Sequence, residues 1–339
     1  MKKVLILAVL GTLVLLAGGC AKKKDNAGGN ELPQVNWKIS HTQAPAHIMQ
    51  LSAEKMAASV KEKTGGKFVI EVYHSGTLGA EQEVIENMQM GTIAGNFAAA
   101  SLLANFVSCY NLFALPAMFT DVSQYQKIMQ DKEIVGRMED ACLEAGIINY
   151  GYFQDIFRSL FSKKSMEKIS DFTGQKIRVM GSPILVATYQ ALGCNPTTTA
   201  WGELFSALQL GVVDGLDHVA GSVKSMSFYE NLDYVAKPNL FTSPMFFIIS
   251  KKMYDELPKE YQAALDEAIE TILYPELRRE ANKDEEEAFK FLTTEGGMQY
   301  IECDVPAIHR AVAPVREKYL AEMEPWVQEI GKSILARTN

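Results

Sequence analysis

Hydrophobic positions over residues 35–153 switch back and forth between two periods. Residues 35–42 read as a strand, after which Met49, Ala53, Met56 and Val60 recur at helical spacing in a predicted helix over 46–64, stopped by Gly65 and Gly66. Phe68, Ile70 and Val72 alternate with Val69, Glu71 and Tyr73, so both faces of this strand are largely apolar, as in a parallel sheet covered on two sides. A helix over 80–90 ends at Gly91, and 93–98 is the next strand. Residues 111–119 are apolar but contain Pro116, which predicts a buried connection rather than a regular element. The pattern over 122–145 predicts one long helix ended by Gly146, followed by a strand over 147–153. Strand and helix in alternation imply an α/β layer.

The stretch 174–230 organises the rest. Lys176, Ile177, Arg178, Val179 and Met180 alternate as a short strand that sets Arg178 on the face opposite Ile177 and Val179. Ser182 is a candidate cap for a helix carrying Leu185, Val186, Tyr189 and Leu192, closed by Gly193. A second helix is predicted over 201–210, from Trp201 to a stop at Gly211, and the apolar run 212–219 carries Asp214, Gly215, Asp217 and His218. An arginine, a tryptophan, an acid and a histidine thus return to one crevice lined by strand ends. Asp155 and Arg158 follow the 147–153 strand directly and are expected at the same carboxyl edge. Residues 244–250 read as a strand crossing back, and 259–293 as a charged helix that Pro275 breaks or kinks. A strand over 298–303 and a closing helix over 306–335 complete the chain.

A length of 339 residues with 47% hydrophobic composition suffices for two cores. Before the first strand, Lys2 and Lys3 precede an apolar run over 4–16 and then Ala17, Gly18, Gly19 and Cys20, a charged start, a short hydrophobic centre and small residues before a cut. The run is too short for a comfortable membrane span. The junction resembles a bacterial lipobox, with Ala17 where leucine is more usual, so 1–19 is expected to be a lipoprotein signal peptide and Cys20 the acylated first residue; an ordinary secretory peptide with an incidental cysteine is the alternative. Residues 20–32 are polar, glycine-containing and without period, as a flexible tether should be. A net charge of −8 argues against nucleic acid as a partner, yet leaves room for an anionic ligand, since a local arginine outweighs distant screened carboxylates. Cys109, Cys142, Cys194 and Cys303 show no metal-ligand spacing and sit in apolar contexts, favouring buried thiols over a disulfide. No cofactor is implied.

The chemistry points to carboxylate recognition. A guanidinium offers two parallel hydrogen bonds that replace the water a carboxylate loses on binding. Arg178 fits that role; by position alone a salt-bridge partner fits as well. His218 is either a ligand contact or a histidine satisfied by nearby backbone, and Trp201 either a pocket wall or a helix-start residue in the core. No G-x-S-x-G elbow, H-E-x-x-H pair or phosphate loop is present, so an enzyme reading lacks support.

The order K-I-R-V, G-x-x-P, W-x-E-x-x-x-A-L-Q-x-G-V-V-D-G and F-Y-E across 176–230 resembles the DctP-type substrate-binding proteins of tripartite ATP-independent periplasmic (TRAP) transporters, and Gly65, Gly66, Lys67, Leu78, Gly79, Met90, Gly91, Thr92 and the segment 110–119 are similar too. The resemblance implies a two-domain periplasmic binding protein fold of the α/β class with a ligand cleft between the domains, 33–155 plus 244–283 forming one and 156–243 plus 284–339 the other. It implies an extracytoplasmic receptor that binds an organic acid and delivers it to the TRAP membrane subunits, here expected to be a monomer held to the membrane by the lipid on Cys20; a ligand sensor for a chemoreceptor or kinase would use the same pocket. Arg178 matches the family's principal carboxylate-binding arginine and Arg158 a second, supporting one, whereas His218 departs from the asparagine that several relatives carry. Trp201 occupies a position often aromatic in the family, and Asp155 is expected to supply a polar anchor. With Trp201, Phe246 and the aromatics of 150–157 taken as cleft walls, the expected ligand is a flat or aromatic monocarboxylate in preference to a sugar acid.

Overall fold

The computed structural model describes residues 32–336. Its strands, in chain order, are β1 (Val35–Ser40), β2 (Phe68–Tyr73), β3 (Gly95–Ala99), β4 (Ile147–Tyr152), β5 (Ser159–Ser162), β6 (Ile177–Val179), β7 (Thr197–Thr198), β8 (Gly215–His218), β9 (Tyr234–Ala236), β10 (Met245–Ser250) and β11 (Gln299–Tyr300). They form two sheets. The first runs β2-β1-β3-β10-β4, with β1 parallel to β2 and β3 and with β10 antiparallel to β3 and β4. The second runs β11-β9-β5-β8-β6-β7, with β6 parallel to both β7 and β8, and β5 antiparallel to β8 and β9.

Parallel neighbours need crossovers, and the amphipathic helices supply them. The helix Ile48–Lys63 links β1 to β2 and buries Met49, Ala53, Met56 and Val60, the stripe its spacing predicts. The helix Pro183–Ala191 lies between β6 and β7, and buries Leu185 and Tyr189. Ser182 stands at its N-cap but makes no capping bond, its hydroxyl being buried without a partner, and Pro183 takes the first helical position, where its fixed φ suits the helix and its missing N–H leaves nothing unpaired. Between β7 and β8, the predicted helix at 201–210 is a 3₁₀ turn (Trp201–Glu203) followed by a short α-helix (Leu204–Gln209).

Four expectations shift. Residues 122–145 form two helices, Val122–Gln130 and Lys132–Glu144, because the Asp131 carboxylate takes the backbone N–H groups of Glu133 and Ile134 and so starts a new helix. Residues 259–293 continue through a π turn at Ile269–Leu273, immediately before Pro275, which relieves the clash a proline makes with the preceding turn. The closing helix is split into Val305–Ala321 and Pro325–Ala336, and the 298–303 strand shrinks to Gln299–Tyr300. Residues 111–119 are buried as expected, though Ser108–Ala114 is wound as a 3₁₀ helix. Cys109, Cys142 and Cys194 are buried free thiols and Cys303 a half-buried one. Among the described residues no helix is long and apolar enough to cross a membrane. The lipobox and Cys20 lie outside the described residues.

Candidate functional site

The carboxyl ends of β1 and β3 in one sheet and of β6, β7 and β8 in the other run into a single cavity of about 530 Å³. Arg178, Trp201 and His218 line one wall; Thr42, Gln43 and Glu81 line the opposite one.

Arg178 leaves the middle of β6, between β8 and β7. The alternation is as expected, yet its side chain is as buried as those of Ile177 and Val179, because this face of the sheet closes on the cavity rather than on solvent. Its Nε donates to the Thr199 carbonyl at 2.9 Å, and its guanidinium carbon lies 5.5 Å from the centre of the Trp201 ring. These contacts fix the plane of the guanidinium and leave both Nη groups without a protein acceptor among the described residues. Burial lowers its pKa to about 10, well above neutrality, so the charge persists.

Trp201 and His218 form one unit. Their rings are 4.3 Å apart at 33°, and Phe228 meets Trp201 edge-on at 4.9 Å. The His218 pKa is held well below its usual value, first by burial and then by the positive charges of Arg158 and Arg178, so the imidazole is neutral. His218 Nδ1 and Trp201 Nε1 are buried without partners, and on the facing wall so is Gln43 Oε1.

Glu81 was not singled out by any motif. It sits in the first turn of the helix Glu81–Met90, where an acid is unremarkable on sequence grounds. Its Oε1 accepts from the Ala99 N–H at 2.7 Å. Desolvation raises its pKa to about 7, against the opposing pull of that N–H and of Arg178 and Arg158.

Arg158 and Asp155 stand apart from this cavity. Arg158 is buried and pairs through Nη1 with Asp217 Oδ2 at 3.3 Å, bracing β8 one residue before His218, while its Nε has no partner. Asp155 accepts from Gln126 and lines a separate hollow of about 360 Å³ that Arg158, Lys237 and Glu285 also border. The two follow β4 as expected, but the chain has by then crossed towards the second sheet, so they do not join Arg178 on the cavity surface. The aromatics taken as cleft walls are core. Tyr150 donates to Asp266, Tyr152 packs on Tyr125, Phe153 on Phe97, and Phe246 on Tyr110 and Phe113. Only Trp201 of that set reaches the cavity.

The family model of the bacterial extracellular solute-binding proteins, family 7, matches residues 39–324. The chain belongs to that family. Among solved structures it is similar to a TRAP periplasmic solute-binding protein from Sulfitobacter sp. NAS-14.1 with bound β-D-galacturonate, at 27% identity and TM-score 0.82 over 87% of this chain and 98% of that one. A second, from Roseobacter denitrificans OCh 114 with bound L-galactonate, is 25% identical with TM-score 0.82, covering 90% and 99%. The C4-dicarboxylate-binding periplasmic protein DctP of Vibrio cholerae is 24% identical over 91% of this chain and 90% of that protein. The α/β two-domain binding-protein fold and the role of solute receptor, both implied by the motifs of 176–230, therefore hold, and the family is one of transport receptors rather than enzymes.

Proposed function

We propose that this receptor binds an organic acid with a single carboxylate and a hydroxylated body, Arg178 taking the carboxylate through its two free Nη groups, and hands it to TRAP membrane subunits. One observation carries the reading: a fixed, charged guanidinium with both Nη groups unpaired, in a cavity whose walls hold further unpaired polar atoms at Gln43, Trp201 and His218. Each such atom costs about 1–3 kcal/mol if it stays unmet, and hydroxyl groups meet it where an aromatic face does not. The aromatic-acid expectation is withdrawn, since most of the rings that motivated it lie in the core. The ligands named for the Sulfitobacter and Roseobacter proteins are of the proposed class. His218 and Trp201 back the bound acid, and Arg158 supports it from behind through Asp217.

The division into 33–155 with 244–283 and 156–243 with 284–339 belongs to the same proposal. It is supported by the sheet membership of β1–β4 and β10 against β5–β9 and β11; the end of the chain, from Leu320, packs back on the core that holds Phe113 and Ile147. Ligand contacts on both walls favour the closed form of this hinge. Cleavage before Cys20 and its acylation place the receptor, as a monomer, on the outside of the cytoplasmic membrane, the 20–32 segment serving as tether. The test is a thermal-shift screen of the mature protein against uronates, aldonates, aromatic acids and dicarboxylates. A true ligand at a hundredfold its Kd adds about 2.7 kcal/mol. Shifts with aromatic acids alone, or shifts that survive Arg178→Lys undiminished, defeat the reading.

A further inference from the structure

His218 ends β8, and the chain leaves it through Val219 into a short helix, Ala220–Ser225, so the ring is only as fixed as the backbone on either side of it. On the near side Asp217 is tied to Arg158. On the far side the tie comes from 64 residues away in sequence: the Gly221 N–H donates to Glu285 Oε2 at 3.0 Å, and the Ala220 N–H acts on the same carboxylate. Gly221 permits the approach, since a β-carbon there would stand 2.3 Å from Asp284 Oδ2. In the acidic run 284–287, Glu286 and Glu287 are exposed while Glu285 is half-buried. A carboxylate drawn in from water needs donors in return, and the N–H groups that open a helix have no partner within it. The helix Tyr274–Thr293, which carries Glu285, is fastened at its other end to the first sheet. Tyr274 donates to the Gly151 carbonyl and accepts from the Phe247 N–H, and Arg278 donates to the Tyr152 carbonyl. One rod thus runs from β4 and β10 to the segment that carries His218.

We propose that Glu285 is a positioning residue for ligand binding: it holds His218 at the cavity wall and ties that place to the first sheet through its helix. The inference rests on the reading of His218 as a residue that backs the bound acid. Glu285 itself lines the separate hollow and not the cavity, so it acts through another residue. His218 has no partner at Nδ1 and stacks on Trp201 at 4.3 Å, so its ring keeps its place through that stack and through its backbone. Freeing the backbone after it lets the ring tilt, and a hydrogen bond to the ligand weakens steeply with angle. The two ties, Arg158 before the ring and Glu285 after it, make the wall stiff.

Two measurements test this. In the apo protein, the indole N–H resonance of Trp201, assigned by its loss in Trp201→Phe, reports the His218 stack. Glu285→Ala is expected to move or broaden it, and Glu285→Gln, which keeps an acceptor for Gly221, to leave it in place. Isothermal titration of the mature chain with D-glucuronate, D-galacturonate, L-galactonate and D-erythronate then follows the acid that binds wild type most tightly. Glu285→Ala is expected to weaken it tenfold or more and Glu285→Gln less than threefold. In a His218→Ala background, Glu285→Ala is expected to cost less than threefold further, because its route runs through the ring. Equal losses in the two backgrounds, a loss with glutamine as large as with alanine, or an unmoved resonance with unchanged affinity overturns the proposal. If Glu285→Ala does not fold, Glu285→Asp, whose acceptor is drawn back by one methylene, is read in its place against the same outcomes. Arg178→Lys run alongside separates the failures: loss there with none at Glu285 removes only Glu285's role, whereas no binding of any of the four acids, with a resonance that follows Glu285, removes the carboxylate reading and leaves the hold on His218.

Discussion

The two walls of the cavity are built on opposite plans. The wall from the second sheet draws Arg178, Trp201 and His218 from 41 consecutive residues, each on or just beyond a strand, and stacks them on one another, with a buried ion pair behind. The wall from the first sheet collects Thr42 and Gln43 from the turn after β1 and Glu81 from a helix start some forty residues later, and these share no contact with each other among the hydrogen bonds of the described residues. The first plan makes a stiff, charged anchor. The second makes a set of independent polar readers, each of which can be exchanged without disturbing the others. On the proposed reading, anchoring the carboxylate and choosing the body fall to different sheets, and closure would bring the two together.

The largest expected effect breaks the stiff wall alone. Asp217→Ala leaves Arg158 charged, buried and unpaired one residue from His218. Breaking a buried pair by removing one partner costs about 3–5 kcal/mol. Urea unfolding of the apo protein should register that loss, whereas Glu81→Gln should leave unfolding at neutral pH near wild type. Equal losses in the two variants contradict the assignment of rigidity to one wall.

Next comes the anchor itself. Arg178→Lys retains charge but loses the planar fork and the stack on Trp201, and is expected to cost about 2 kcal/mol of affinity, roughly thirtyfold, with little change in apo stability. Titration calorimetry and thermal unfolding of the same sample separate the two quantities. A stability loss as large as the affinity loss makes Arg178 a structural residue.

Two buried groups on the first sheet's side respond to pH in opposite senses. Burial raises the folded pKa of Glu81 to about 7 from its ordinary 4.5, so the unfolded chain ionises first. Unfolding then releases a proton between those values, and stability falls as pH rises through that window, by on the order of 1 kcal/mol once solvent screening of a partly exposed carboxyl is allowed for. His47, buried and lowered to about 3, acts in the opposite sense: the unfolded chain protonates first, and stability falls as pH drops below about 6.5. Because the windows overlap, the informative quantity is the difference in thermal unfolding between wild type and Glu81→Gln. It should change sign-consistently between pH 5 and 8, and a flat difference removes Glu81's burial cost.

Legibility follows the same divide. Arg178, Trp201 and His218 were visible because an arginine inside an apolar strand and a histidine closing one are unusual residue types for their places, and because their order matches a family pattern. The succession of β1–β4 and their helices was visible because strands buried on both faces read as short continuous apolar runs, whereas the helices between them keep a 3.6-residue period. Glu81 was not, since an acid in a helix's first turn is what the helix dipole favours anyway, and only the approach of β3's Ala99 gives it another task. Asp155 and Arg158 were placed by proximity to β4, which says nothing of the side to which the crossing chain turns them. The aromatics of β4 and β10 misled for a simple reason: alternation says that a ring is inward, and inward here is the core between sheet and helix rather than the cleft. The break at Asp131 shows the remaining gap, where one capping side chain outweighs a continuous helical period.

The smallest effect is also the one that distinguishes a reader from a brace. Gln43 is 5% exposed, its Oε1 has no partner, and its backbone carbonyl separately accepts from the Ser75 N–H at 2.9 Å. Gln43→Leu keeps the volume and that backbone bond while deleting a buried polar group that the apo protein leaves unmet. Removing such a group relieves a desolvation cost, so the apo protein should gain about 1 kcal/mol or lose nothing. The same substitution deprives a bound hydroxyl of its acceptor, so affinity for the preferred hydroxylated acid should fall by about 1 kcal/mol, near fivefold. Opposite signs in the two measurements mark a side chain whose partner is the ligand. If both fall together, Gln43 is bracing the turn after β1, and the first wall reads its ligand without it.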